Sequence, residues 1–216
     1  MLSLAFNPIV GSFFHPIYSI VNAAVLGHAS DPMELAGLGL GSLTLGICVI
    51  SITSTFVAGS ATLISQAFGA KDYRLCHIYR NRQIFLSVCV YVLFCIPMAF
   101  IDKIYGLLGQ DPAVAKFATT YVRYVMPSLL FFVIAQTFAI FAYNQRVTWI
   151  PLAATVTGAA SHAVLVYLFF YLLDWGFDGI CLATALMFVI RCAVNCGTVL
   201  FMKIFPTFDD VHLFSN

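Results

Sequence analysis

Six long stretches of this chain contain almost no ionisable charge, and that pattern dictates the class of fold. No Asp, Glu, Lys or Arg occurs from Met1 to Ser30, from Leu35 to Ala70, from Gln83 to Ile101, from Tyr124 to Gln145, or from Val147 to Leu173. The sixth stretch, Gly179 to Met202, is interrupted by Arg191 alone. About 20 apolar residues carry a helix across the hydrocarbon core of a bilayer, and each stretch meets or nearly meets that length. Hydrophobic residues make up 62% of the sequence and charged residues 9%, which leaves too little polar surface to keep a bundle of this size in water. The expected fold is all-α: a polytopic membrane bundle of six transmembrane helices.

The expected spans run from about Leu4 to Leu26, Leu35 to Ile64, Ile78 to Phe100, Ala113 to Tyr143, Pro151 to Leu173 and Gly179 to Met202. They form one transmembrane unit over residues 1–203, followed by a short cytoplasmic tail, 204–216. The first run has no basic flank and no clear cleavage site, so it is expected to remain as a span and not to act as a signal peptide. Lys71, Arg74, Arg80, Arg82, Arg146 and Lys203 fall on one side, against Lys103, Lys116 and Arg123 on the other. This excess of basic residues places both termini in the cytoplasm.

Other function classes fit poorly. A net charge of +1 offers no basic face for nucleic acid. The seven cysteines form no CxxC pair and no Cys/His metal spacing, so they read as reduced packing residues with no metal or cofactor implied. Cys192 and Cys196 share a helix face, where an intrahelical disulfide has poor geometry. His28 and Asp31 make a close His/acid pair, but in a short loop without a nucleophile, so an enzyme is not expected.

Local signals refine the helices. In Asp111-Pro112 an N-cap acid precedes a first-turn proline, which starts the fourth helix there. Carried through Pro127 to near Gln145, that helix would be about 50 Å long against a hydrocarbon core of about 30 Å, so it should tilt, kink at Pro127 or protrude. Pro16 and Pro97 remove backbone bonds within two other helices. The second helix carries Gly37, Gly39, Gly41, Gly46 and Gly59 with Ser51, Thr53, Ser54, Thr55 and Ser60, a density of small residues that suits close packing or a bending element.

Polar residues within the runs are the candidates for function, because an amide or imidazole facing lipid has no partner. Asn22, Thr55, Gln136 and His162 are expected to face the interior, each serving either a helix–helix hydrogen bond or a substrate contact. Arg191 should face the interior or reach for the headgroups, since a central arginine costs about 2.5–3.5 kcal/mol on insertion scales. It would either be held by carbonyls and water or act on the charge of a substrate. Phe13, Phe14, Tyr18, Phe131, Phe132 and Tyr143 would pack against lipid and core, or receive flat cations through their ring faces.

Several segments taken together resemble a known family. Leu26-Gly27-His28, Leu35 to Leu40, and Thr62-Leu63-Ile64-Ser65-Gln66-Ala67-Phe68-Gly69-Ala70-Lys71-Asp72-Tyr73 are similar to the first two helices and first cytoplasmic loop of multidrug and toxic compound extrusion (MATE) transporters. The similarity continues through Asn81-Arg82, Leu107-Leu108-Gly109-Gln110-Asp111-Pro112, Tyr121 with Met126-Pro127, Asn144 to Trp149 with Pro151, and Gly176 to Gly179 ahead of Ala183. It spans about Pro8 to Lys203 in a eukaryotic style.

The resemblance implies one six-helix lobe of a twelve-helix transporter, with substrate bound between two pseudo-symmetric lobes. It further implies export of organic cations or other xenobiotics in exchange for protons or sodium, from a plasma, vacuolar or endosomal membrane. A second half would come from a homodimer or a separate partner; the alternative is a non-transporting subunit or a fragment of a full-length transporter. Animal and plant members carry a coupling glutamate in the second lobe, which this chain does not match. Many prokaryotic members have an aspartate in helix 1 where this chain has Asn22.

Overall fold

A computed structural model describes residues 2–29 and 31–201. The expected tail, 204–216, lies outside them. Nine α-helices carry the described chain: α1 (Leu2–Phe14), α2 (Ile17–Ala29), α3 (Pro32–Leu45), α4 (Ile52–Gly69), α5 (Tyr73–Ala99), α6 (Ile101–Leu107), α7 (Pro112–Asn144), α8 (Trp149–Val166) and α9 (Gly176–Phe201). Grouped by continuity, they give six spans long and apolar enough to cross a bilayer: Phe6–His28, Pro32–Gly69, Tyr73–Ala99, Pro112–Asn144, Trp149–Leu172 and Gly176–Phe201. The chain is an integral, multi-pass membrane protein.

Helix starts follow local chemistry more closely than hydropathy. Asp31 accepts from the Met33 amide at 3.0 Å, and Pro32 occupies the first turn, so the second span begins three residues before the apolar run at Leu35. Asp72 caps α5 through the Leu75 amide at 2.9 Å. The third span therefore starts at Tyr73 and includes the charged turn expected to lie outside it. Asp111 accepts from Ala113 and Val114 and opens α7 at Pro112, as the sequence indicates. Arg146, at φ 63°, ends that helix in the left-handed conformation, while the Val147 amide returns to the Ala142 carbonyl.

Prolines act differently by position. At Pro16 the first span breaks into α1 and α2, because a residue without an N–H cannot bond the Ser12 carbonyl. Pro127 lies within α7 without interrupting it, and the Tyr91 hydroxyl donates to the neighbouring Met126 carbonyl at 2.7 Å. Near the middle of the second span, Gly46–Ser51 forms a π-helical turn, and a second π turn, Tyr167–Leu172, ends the fifth span. Neither was expected from the sequence.

In lipid, apolar contact alone gives helices little reason to associate, so close packing and polar bonds must do so. α7 is the axle: 67% of its most apolar stretch is buried, against 11% for the first span. It packs against α9, α3, α5 and α4. The approach of α3 is closest at Gly37, where an added Cβ would lie 2.3 Å from the Phe117 Cβ, and at Gly41, where it would lie 2.9 Å from the Tyr121 ring. Two of the five glycines of the second helix thus account for its packing role. Large apolar side chains such as Phe13, Ile20, Leu43, Phe85, Leu93 and Val164 point outward, as a lipid-facing surface requires.

Candidate substrate-binding wall

The residues expected to share one interior site separate into three places. Gln136 and Arg191 line a cavity of about 560 Å³ on one face of the lobe, built from α1, the Gly46–Ser51 turn, the start of α4, and α7, α8 and α9. Ser12, His15, Ser51, Ser54, Tyr143 and Thr155 are the other polar residues on its lining. The cavity reaches from the middle of the second span towards the α7–α8 turn.

Each element presents these groups for a local reason. The break at Pro16 leaves Ser12 and His15 at the end of α1, on the cavity. In the π turn Ser51 donates to the Gly46 carbonyl, five residues back, at 2.7 Å. Gly158 of α8 has no side chain where an added Cβ would meet the Arg191 Cβ at 3.5 Å, so the arginine stem lies against bare backbone. The Arg191 guanidinium carbon sits 5.9 Å from the centre of the Phe132 ring, and its buried Nε has no hydrogen-bond partner among the described residues.

Asn22 and His162 occupy a second place, fully buried where α2 and α8 meet α9. The Asn22 amide nitrogen donates to the Thr184 hydroxyl at 3.0 Å, and His162 Nε2 lies 3.4 Å from the same oxygen. Thr184 uses its own proton on the Ile180 carbonyl at 2.9 Å. It can therefore only accept from His162, which requires the proton on Nε2. Its Nδ1 and the Asn22 carbonyl oxygen lack partners among the described residues.

Tyr18 connects the two places. Its ring meets those of His15, His162 and Phe188 edge to face at 6.0–6.2 Å, and Phe188 meets Phe132 at 5.5 Å. Thr184, Phe188 and Arg191 fall at i, i+4 and i+7 on one stripe of α9, so the buried cluster and the cavity are about 10 Å apart along that helix.

Thr55 lies elsewhere. One residue beyond Ser54 is a turn of about 100° around the helix, which carries Thr55 off the cavity. Its hydroxyl donates to the Ser51 carbonyl at 2.9 Å, and the residue lines a groove between α4 and α5 with Phe56, Leu63, Arg82 and Gln83. The residues missed in sequence are Ser12, His15 and Thr155 on the cavity and Thr184, the shared acceptor, whose spacing from Arg191 on an otherwise apolar stripe is the signal that marks it.

A family model described as MatE matches residues 8–168. The chain belongs to the MATE family. Among curated MATE relatives, Protein DETOXIFICATION 6 of Arabidopsis thaliana is 28% identical over 179 residues, covering 83% of this chain and 36% of the relative. Multidrug and toxin extrusion protein 1 of Danio rerio is 27% identical over 183 residues, covering 83% of this chain and 30% of the relative. A crystal structure of MATE in the straight conformation superposes with a TM-score of 0.88 at 20% identity, over 100% of this chain and 48% of that one. The eukaryotic MATE transporter AtDTX14 gives 0.86 at 20% identity, over 93% and 44%. The chain thus spans about a third of the curated relatives and about half of the solved structures, with the fold of one six-helix lobe.

Proposed function

We propose that this chain supplies one lobe of a secondary antiporter that exports small organic molecules, and that the 560 Å³ cavity is its half of the substrate site. The observation that carries this reading is the polar cavity itself. Arg191 and Gln136 within the spans are costly unless a watered pathway or a ligand meets them, and five hydroxyl side chains line the same cavity. Membership of a family whose relatives bear the names detoxification and toxin extrusion supports the same reading.

A single lobe offers one wall. Alternating access needs two bodies that rock around a site between them, so a second copy or a separate second half completes the transporter. The counter-ion is a proton or sodium. In this lobe Asn22 replaces an acid by a neutral amide already bonded to Thr184, so coupling falls to groups on the second half. The membrane is a plasma, vacuolar or endosomal one, with both ends of the bundle in the cytoplasm on the lysine and arginine bias.

Proteoliposomes test the reading. Uptake of a fluorescent organic solute driven by an imposed proton or sodium gradient, and abolished by an ionophore that collapses it, is the expected result. Uptake indifferent to both gradients would contradict antiport.

A further inference from the structure

We propose that this cavity selects organic anions, with Arg191 as the residue that sets the charge preference. The inference rests on the cavity being the substrate wall and adds the class of substrate to that reading.

Among the described residues Arg191 is the sole Lys, Arg, Asp or Glu that lines the cavity, with His15 the one histidine there. The described acidic residues are Asp31, Glu34, Asp72, Asp102, Asp111, Asp174 and Asp178, all at or beyond the ends of the spans, and Asp31, Asp72 and Asp111 are occupied in capping helices. A cationic ligand in this wall would meet a like charge with no counter-charge beside it. An anion would meet the half-buried Arg191 guanidinium, which no carboxylate neutralises among the described residues.

The aromatic surface points the same way. Phe132 is among the rings suited by position to receive a flat cation, yet its face is approached by the Arg191 guanidinium at 5.9 Å. The protein's own cation holds that place. A planar guanidinium so backed presents its N–H groups in a fork that suits a carboxylate better than a single point charge would. Gln136 and Tyr143 add neutral donors on the same wall. The favoured ligand is therefore an aromatic or amphipathic molecule carrying a carboxylate, with its apolar part against Ile50, Ala139 and Pro151.

A matched pair of dyes tests this. Fluorescein is anionic and rhodamine 123 cationic on the same xanthene frame. Binding of each to the purified full chain in uncharged-lipid nanodiscs is read by fluorescence anisotropy. Fluorescein is expected to bind at least about tenfold more tightly than rhodamine 123. Arg191→Gln should erase that ratio, and Arg191→Lys should keep its sign. If Arg191→Gln does not remain monodisperse, the parent and Arg191→Lys ratios decide.

Rhodamine 123 binding as tightly as fluorescein, a ratio unmoved in Arg191→Gln, or binding of neither dye would overturn the proposal. Transport separates this failure from that of the antiporter reading. Liposomes that accumulate rhodamine 123 but not fluorescein keep the antiporter and defeat the anion preference. Liposomes that move neither dye under either gradient defeat the antiporter, while the binding ratio still decides the charge preference.

Discussion

The Asn22 side-chain amide donates to the Thr184 hydroxyl across 3.0 Å, tying the first span to the sixth within a fully buried cluster that also takes in His162. Removing that acceptor strands two nitrogens at once. Thr184→Val keeps shape and volume, so its cost isolates the lost bonds. We expect about 1–3 kcal/mol of destabilisation, above the average of about 0.6 for one interhelical bond in a membrane protein. Thermal unfolding in detergent should show a clear drop in Tm for Thr184→Val and a smaller one for Thr184→Ser. A valine variant as stable as the parent would show that the cluster contributes nothing.

Glycines two residues apart should respond in opposite ways. A Cβ at Gly37 would lie 2.3 Å from the Phe117 Cβ and 3.1 Å from the Ala118 backbone nitrogen, and neither atom can move without shifting α7. At Gly39 nothing lies within 4 Å. Gly37→Ala is expected to lose at least about 1–3 kcal/mol by forcing the helices apart, whereas Gly39→Ala should be neutral or slightly stabilising through helix propensity. Monodispersity and Tm of the two variants, measured side by side, check this; equal behaviour would refute the close α3–α7 contact.

Tyr91 supports the proline-bearing region of α7 through its bond to the Met126 carbonyl at 2.7 Å. Tyr91→Phe removes one oxygen and leaves the ring. A loss of about 0.5–1.5 kcal/mol is expected, and none if the carbonyl is already satisfied by its own helix. Denaturation of the parent and variant in the same detergent distinguishes the two.

Orientation rests on the excess of lysine and arginine on one side. In cells that carry the protein at the plasma membrane, a cysteine at Asp111, with the native cysteines replaced, should react with a membrane-impermeant maleimide before permeabilisation. Labelling that appears only after permeabilisation would invert the topology.

Much of this fold is legible in the sequence because its two strongest determinants are local. Charge-free runs mark the spans, and Asp111-Pro112 marks a helix start by capping chemistry that needs no tertiary partner. What the sequence hides depends on rotation and approach. Thr55 and Ser54 are adjacent polar residues, and the register set by the π turn decides which of them meets the cavity. The role of Thr184 depends on Asn22, 162 positions away, and on His162, 22 positions away on the neighbouring helix. Asn22 and Gln136 look alike as isolated amides in apolar runs. One is committed to an internal bond and the other lines an open cavity, because α2 and α7 turn different faces to α9.

The central claim is that this lobe forms one wall of a two-lobed antiporter. Its most direct test is transport by protein fractionated by size before reconstitution, at equal mass, with a proton or sodium gradient imposed and xanthene dye uptake followed by fluorescence. Uptake confined to the dimer fraction, or to this chain combined with a second half, is the expected result. Monomer that transports as fast as dimer would contradict it, since one wall cannot alternate its access between two sides of a membrane.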